Sequence, residues 1–222
     1  MAADDIAFTP SVTFLSEVDR LRIHDAVLEV LESTGMTLQH PGALELLQGA
    51  GCPVEGDQVR IPRRLVEEAL QTAPRSIRIY DREGGLAMDL GGRRGYYGTG
   101  SDLMHRLDGA TGERRRTTLE DIRSAARLCD ALPNIDFLMS FAHPHEVDPA
   151  RCYGHSLRAI AESSTKPIVN TADSRQDLAA MWEMAKILRG GESALREKPY
   201  WIQYDEPISP LKHPFKSVDK LL

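Results

Sequence analysis

The chain has 222 residues, 41% hydrophobic and 27% charged, which suits one large soluble domain or one domain with a small extension. A net charge of -6 without a Lys/Arg block excludes the usual basic nucleic-acid surface, and Arg114–Arg116, set among Asp108, Glu113, Glu120 and Asp121, reads as a solvated face. No apolar run approaches the ~20 residues of a membrane helix, the acidic start MAADDIAFTP lacks the apolar core of a secretory leader, and the scattered Cys52, Cys129 and Cys152 fit buried thiols in a reducing compartment, the cytoplasm.

Residues 1–14 read as an extended N-terminal arm. A first helix starts at Ser16, with Asp19 completing a variant capping box. Leu21, Val27, Leu28 and Leu31 form its apolar stripe, His24 lies on that stripe as a structural histidine, and Gly35 stops the helix. Pro41 opens a second helix through Leu44 and Leu47, and Val54–Val59 is a tight hairpin. Pro62 starts a third helix, carrying Leu65, Val66, Ala69 and Leu70, which Pro74 ends. Residues 15–74 are thus a small helical cap. Ile77–Tyr80 alternates at strand period, and Leu86–Leu90 is a second short strand. His105–Leu107 and Glu113–Arg116 flank a hairpin turn, Asp108 to Gly112. The cap and a β-rich lead-in segment together occupy 15–95.

From Thr117 the pattern alternates. Thr117 and Glu120 form a capping box for a helix that turns Ile122, Ala126, Cys129 and Leu132 inward. Ile135–Phe141 is a buried strand and Tyr153–Ser163 a helix, with Pro167–Asn170 the next strand. Leu178, Met181, Trp182, Ala185 and Leu188 line a helix closed by Gly190-Gly191, Tyr200–Tyr204 is a strand, and Ser217–Leu222 begins another helix. Helix and strand at this spacing imply parallel strands, which a doubly wound sheet and a barrel both accommodate. No phosphate loop or Rossmann fingerprint is present, since Gly98-Thr99-Gly100 lacks a third glycine and a following helix. Polar residues at the C-terminal end of every strand favour the barrel. Three or four βα units over 96–222 are too few to close eight strands, which take ~250 residues, so an incomplete barrel is expected.

Those strand ends carry the candidate site. Thr99, Ser101 and Asp102 follow Tyr97; His143, His145 and Glu146 follow Phe141; Asn170 and Thr171 follow Val169; Asp205 and Glu206 follow Tyr204. His143-Pro144-His145 has the form of a metal pair, as in barrel hydrolases that hold zinc, but a third ligand is missing downstream except for His213, so no metal is expected. Ser101 has no nucleophile elbow.

Several segments together resemble the trimethylamine methyltransferase family: HDAVLEVLESTGM at 24–36, HPGALELL at 40–47, GDQVRIPRRLVEEALQTAP at 56–74 and IYDR at 79–82, followed by YYGTGSD at 96–102, TGERRRTTLEDIRSAARLCDALPNIDF at 111–137 and YDEPISPLKH at 204–213. The resemblance implies an α/β fold, a TIM (β/α)8 barrel of which this chain is the first half, truncated at its C-terminus. It implies methyl transfer from a methylated amine, trimethylamine or a quaternary amine such as glycine betaine, to the cobalt of a corrinoid. The corrinoid (cobalamin) is carried by a partner protein and is not bound directly by this chain. Pyrrolysine, where the family has it, lies in the second half. Two alternatives are an inactive barrel half that only binds a partner, and a metal-dependent hydrolase using His143 and His145.

A methylated cation calls for carboxylates and aromatic faces, and the corrinoid supplies the difficult chemistry. The substrate-binding candidates are Tyr97, Asp102, Phe141, His145, Tyr204 and Glu206. Strand alternation puts Tyr204 and Glu206 on one face and Asp205 on the other. The unpaired apolar edge near Trp201–Tyr204 leads to an expectation of self-association, as a homo-oligomer.

Overall fold

The computed structural model describes residues 12–222, so residues 1–11 of the expected arm lie outside the described part; Val12 and Phe14 are exposed. The chain divides into two compact units, Met1–Thr72 and Ala73–Leu222.

In the first unit, α1 (Glu17–Glu29) begins at a complete capping box: the Ser16 hydroxyl accepts from the Asp19 N–H while the Asp19 carboxylate accepts from the Ser16 backbone. The helix continues as a π turn, Val30–Thr34, and stops at Gly35, whose φ of +74° is left-handed. A Cβ there would collide with the Val59 carbonyl, so the stop is specific to glycine. The expected apolar stripe is only partly used: Leu28 is buried, whereas Leu21 and Val27 are exposed. β1 (Met36–Leu38) pairs antiparallel with β3 (Gln58–Val59), which also pairs with β2 (Val54–Glu55). Between them α2 (Pro41–Gly49) has Pro at its start, and the His40 ring accepts from the Ala43 N–H at 3.3 Å. α3 (Arg63–Thr72) completes the unit and is tied to α1 by Arg63–Asp25 at 2.8 Å. Leu28, Leu38, Ala43, Cys52 and Val59 form its small core.

The second unit opens with an antiparallel pair, β4 (Ser76–Tyr80) and β5 (Leu86–Gly91), and a second pair, β6 (His105–Leu107) and β7 (Arg114–Arg116). The middle of the basic run is not simply solvated. Arg115 forks onto Asp121 at 2.7 Å, and Arg106 joins from β6. α4 (Leu119–Ala131) is capped one residue later than the sequence suggests, by Thr118 with Asp121. Thr117 is buried instead, its hydroxyl donating to the carbonyls of His143 at 2.8 Å and Leu103 at 3.1 Å.

After α4 come β8 (Leu138–Met139), a 3₁₀ turn (Pro149–Arg151), α5 (Cys152–Ala161), β9 (Ile168–Asn170), α6 (Arg175–Arg189), a short helix α7 (Glu192–Glu197) and β10 (Trp201–Gln203). β11 (Lys212–His213) bridges back to Ile208, and α8 (Phe215–Asp219) ends short of the expected Leu222. The strands are two or three residues long, shorter than the apolar runs that signal them. β8, β9 and β10 are adjacent and parallel, in the order β10-β9-β8. Parallel bridges from Gly98 to Phe137 and from Leu103 to Ala142 lay residues 98–103 beside β8 as a fourth, irregular parallel segment. Gly98 is required there, because a Cβ would strike the Phe137 ring. No closed barrel forms among the described residues.

The core lies on one face of this sheet. Ile122 and Ala126 of α4, Leu157 and Ile160 of α5, and Met181 and Ala185 of α6 are fully buried against Leu138 and Ile168. Each buried Leu, Ile or Met side chain of this kind contributes about 1.5–3 kcal/mol, and each alanine less. On the opposite face Met139, Val169 and Ile202 are only half-buried. α4 has no basic residue in its last turn, and Lys166 compensates from the loop before β9 by donating to the carbonyls of Cys129 at 2.7 Å and Leu132 at 2.6 Å.

Candidate functional site

The C-terminal ends of the parallel segments face a cavity of about 290 Å³ in the second unit. Asp102, Tyr153, Thr171, Tyr204 and Glu206 are among its lining residues, with Asp173, Asp205, Lys216 and Lys220.

Asp102 stands where the 98–103 segment crosses the end of β8. The crossing is made by Leu103 N–H donating to Phe141 O at 3.0 Å and His143 N–H donating to Leu103 O at 3.0 Å. It holds two non-glycine residues in left-handed backbone, Asp102 at φ +64° and Phe141 at φ +59°. Such residues cost of order 1–3 kcal/mol each and persist where their surroundings over-determine them. Three donors converge on the Asp102 carboxylate: Ser101 Oγ at 2.6 Å, His143 Nε2 at 2.9 Å and Tyr153 OH at 3.3 Å. Ser101 Oγ also lies 3.4 Å from Tyr204 OH, which links the two cavity walls. Burial, and then the negative charge of Asp102, push the Tyr153 phenol well above its ordinary range, so it stays protonated and donates. The His143 Nδ1 atom lies 2.9 Å from Cys152 Sγ, and burial pushes that thiol up to about 11.

The other wall is an ion-paired scaffold. The Lys220 side chain is 6% exposed; it pairs with Asp205 and donates to Ala172 O at 2.6 Å and Thr171 Oγ1 at 3.4 Å. Burial alone would raise the Asp205 carboxyl, but hydrogen bonds from Lys220, Ser217 and the Glu206 N–H outweigh it and hold the group below the usual carboxylate range. Lys216 pairs with Asp173 at 3.3 Å. Four carboxylates (Asp102, Asp173, Asp205, Glu206) therefore face two ammonium groups, leaving two negative charges. Within the cavity, the pair not matched to a lysine is Asp102 and Glu206.

Of the six substrate-binding candidates, Asp102, Tyr204 and Glu206 line this cavity. Tyr97 is 73% exposed and outside it, with its backbone N–H held by Asp136 at 2.7 Å. Phe141 packs against the core instead. His145 is also elsewhere: its Nδ1–H donates to Thr117 O at 2.9 Å, and Glu146 lies 3.5 Å away. The His143 and His145 rings thus go to different partners rather than to one side, and among the described residues no three His, Cys, Asp or Glu side chains cluster as a metal site. Tyr204, Asp205 and Glu206 all line the cavity, so strand alternation does not sort them there: Asp205 is committed to Lys220, while Glu206 is exposed. Tyr153, Cys152 and Lys220 enter the site without a sequence motif, and His143, singled out as half of a metal pair, enters it as a partner of Asp102. Their one local signal is position, just after β8, at the start of α5, or at the C-cap of α8.

The trimethylamine methyltransferase (MTTB) family profile matches residues 5–221. Trimethylamine methyltransferase MttB of Desulfitobacterium hafniense (strain DSM 10664 / DCB-2) is 31% identical over 200 residues, covering 89% of this chain and 40% of that protein. Glycine betaine methyltransferase of D. hafniense (strain Y51) is 27% identical over 216 residues, covering 96% and 44% respectively. Trimethylamine methyltransferase MttB of Methanosarcina thermophila is 30% identical over 208 residues, covering 86% and 41%. A parallel βα unit with an acidic, tyrosine-lined cavity at its strand ends is the class of protein seen here, and the chain belongs to the trimethylamine methyltransferase family. It spans less than half the length of these relatives.

Proposed function

We propose that this chain forms the substrate-binding half of a methyltransferase that passes a methyl group from a methylated amine, trimethylamine or a quaternary amine such as glycine betaine, to the cobalt of a corrinoid carried by a partner protein. The observation that carries this reading is the pair of carboxylates without a lysine partner, Asp102 and Glu206, beside the phenol rings of Tyr153 and Tyr204 in one cavity. A carboxylate supplies charge and a ring supplies a π-face, the two features that attract a methylated ammonium. Residues 98–103 and β8 to β10 are the first strands of a (β/α)8 barrel in this reading. The half-buried face of Met139, Val169 and Ile202 then becomes barrel interior once the remaining strands are supplied.

A cavity of about 290 Å³ suits a small amine and is too small for a corrinoid ring, so the ring is presented at the mouth by its own protein. When bound there, the corrinoid supplies the cobalt that receives the methyl group. This chain's residues bind and orient: Asp102 and Glu206 hold the cation, and Tyr153 and Tyr204 restrict its rotation so that one methyl points outward. A quaternary substrate leaves as a neutral amine, so the site needs no proton donor.

The test is methyl transfer to a corrinoid protein from trimethylamine and from glycine betaine. The chain is assayed alone and together with a polypeptide carrying the part of the relatives that it does not span. Transfer in the combined sample, reduced by Asp102→Asn at sub-saturating amine, is expected. No transfer from either amine, in a sample where an intact relative is active, would refute the reading.

A further inference from the structure

We infer that Cys152 and His143 form a positioning relay that locks the His143 ring in its Nε2–H tautomer and thereby fixes the Asp102 carboxylate for a cationic ligand. The second half of this inference rests on the cation-binding reading above; the first half does not.

An ionised carboxylate only accepts hydrogen bonds, so the 2.9 Å contact from His143 Nε2 to Asp102 Oδ1 requires a hydrogen on Nε2. In a neutral imidazole Nδ1 is then a bare lone pair. The group that meets this lone pair is the Cys152 thiol, 2.9 Å away. Cys152 is 2% exposed at the first residue of α5, and burial pushes its thiol up to about 11. At neutral pH it is therefore S–H, a donor to Nδ1, and too protonated and enclosed to act as a nucleophile. The direction of every hydrogen bond follows: Cys152 to His143, and His143 to Asp102.

The arrangement has a reason to exist at this position. Asp102 sits at φ +64°, where the backbone does not settle the side chain in an ordinary strand rotamer. Its orientation comes from Ser101, His143 and Tyr153, which between them occupy both carboxylate oxygens. The Tyr153 ring also packs edge-on against His143, with centroids 5.2 Å apart and planes at 71°, which limits rotation of the imidazole. Three donors take up most of the roughly four acceptor positions of a carboxylate, and this suits a ligand held by charge more than one held by N–H donation. His143 and Cys152 are thus positioning residues acting through Asp102. The relay spans the 98–103 segment, the loop after β8, and the start of α5.

The experiment uses the full chain labelled with ¹⁵N-histidine, with the His143 resonances identified by their loss in His143→Gln. The parent is expected to show a pyrrole-type Nε2 and a pyridine-type Nδ1. Cys152→Ser, which keeps a donor, should preserve this pattern. Cys152→Ala should admit the Nδ1–H tautomer and weaken binding of tetramethylammonium, titrated into the same samples, by about 2- to 10-fold. An Nδ1–H or cationic His143 in the parent, or an unchanged tautomer in Cys152→Ala, would overturn the lock. A changed tautomer with unchanged affinity, or equal affinity in the parent and Asp102→Asn, would overturn the link to cation binding. Because the tautomer is read without turnover, a failure of methyl transfer would count against the methyltransferase reading and leave the lock standing.

Discussion

Lys220→Met is the sharpest probe of the wall opposite Asp102. The Lys220 ammonium is paired with Asp205, and the two side chains are 6% and 16% exposed. Methionine keeps most of the apolar stem while deleting the charge and its donations to Ala172 O and Thr171 Oγ1. Removing one partner of a buried pair costs about 3–5 kcal/mol, because the other charge is left uncompensated. Asp205 retains the Glu206 N–H at 3.0 Å and some solvent contact, so the lower end, about 3 kcal/mol, applies. For a unit of this size that lowers Tm by about 6–12 °C, measured by circular dichroism at pH 7. In the parent, the folded-state pKa of Asp205 is depressed. Its stabilisation is therefore complete above the usual carboxylate range and is lost as pH falls through the folded value. The gap between parent and variant should accordingly shrink on acidification, as the orphaned Asp205 takes up a proton. Adding Asp205→Leu to Lys220→Met should recover most of the loss. A Lys220→Met variant melting within about 1 °C of the parent at pH 7 would refute the reasoning and mean that the pair is solvated.

Three further outcomes are expected. Asp121 is held far below the ordinary carboxylate range by Arg115 first, with Arg106 and Thr118 adding to it, so its contribution is present above the unfolded carboxylate pKa and lost as pH falls below it; Asp121→Asn should flatten the acid limb of stability followed by urea unfolding from pH 5 downward. Ile122→Ala, at a fully buried α4 position, should lower unfolding free energy by about 2–5 kcal/mol with an unchanged urea m-value. In a chain completed by the part its relatives add, Asp102→Asn, which removes a carboxylate held by three donors, should weaken amine affinity about 5- to 30-fold and Glu206→Gln no more than about 5-fold, while Asp205→Asn should act chiefly on stability; binding calorimetry separates the three.

The elements with local grammar are legible in the sequence. The Ser16–Asp19 cap, Pro41, the Gly35 stop and the α6 stripe ending at Gly190 each depend on residues within one or two turns, and each is found. The α4 cap slipped by one residue because Thr117 and Thr118 offer the same hydroxyl, and a tertiary demand for Thr117, from the carbonyls of Leu103 and His143, decides between them. The α1 stripe over-predicted burial, since periodicity marks an apolar face without saying what covers it. At the site, the rule that polar residues gather at strand ends reached Asp102, Tyr204 and Glu206. Tyr97, Phe141 and His145 lie outside the cavity: around Asp102 and Phe141 the chain takes left-handed backbone, a local geometry that position at a strand end does not signal. The His143–Cys152 contact joins residues nine apart across an irregular loop, a separation with no periodic signature.

The order in which the second unit packs has a consequence for how it is made. β8 pairs with β9 and β9 with β10, and α4 packs on α5 and α5 on α6, so partners in space are successive in the chain. Loop closures between such neighbours are short, and topologies of this kind nucleate quickly. During synthesis each helix can therefore dock as soon as the strand after it leaves the ribosome, and α4 and α5 can bring Ile122, Leu157 and Ile160 together before α6 adds Met181 and Ala185 to the same core. The acidic cavity is assembled later than this framework, because Lys220, which pairs with Asp205 in its wall, follows α6 and β10 in the chain: the framework is vectorial, and the binding chemistry waits for α8.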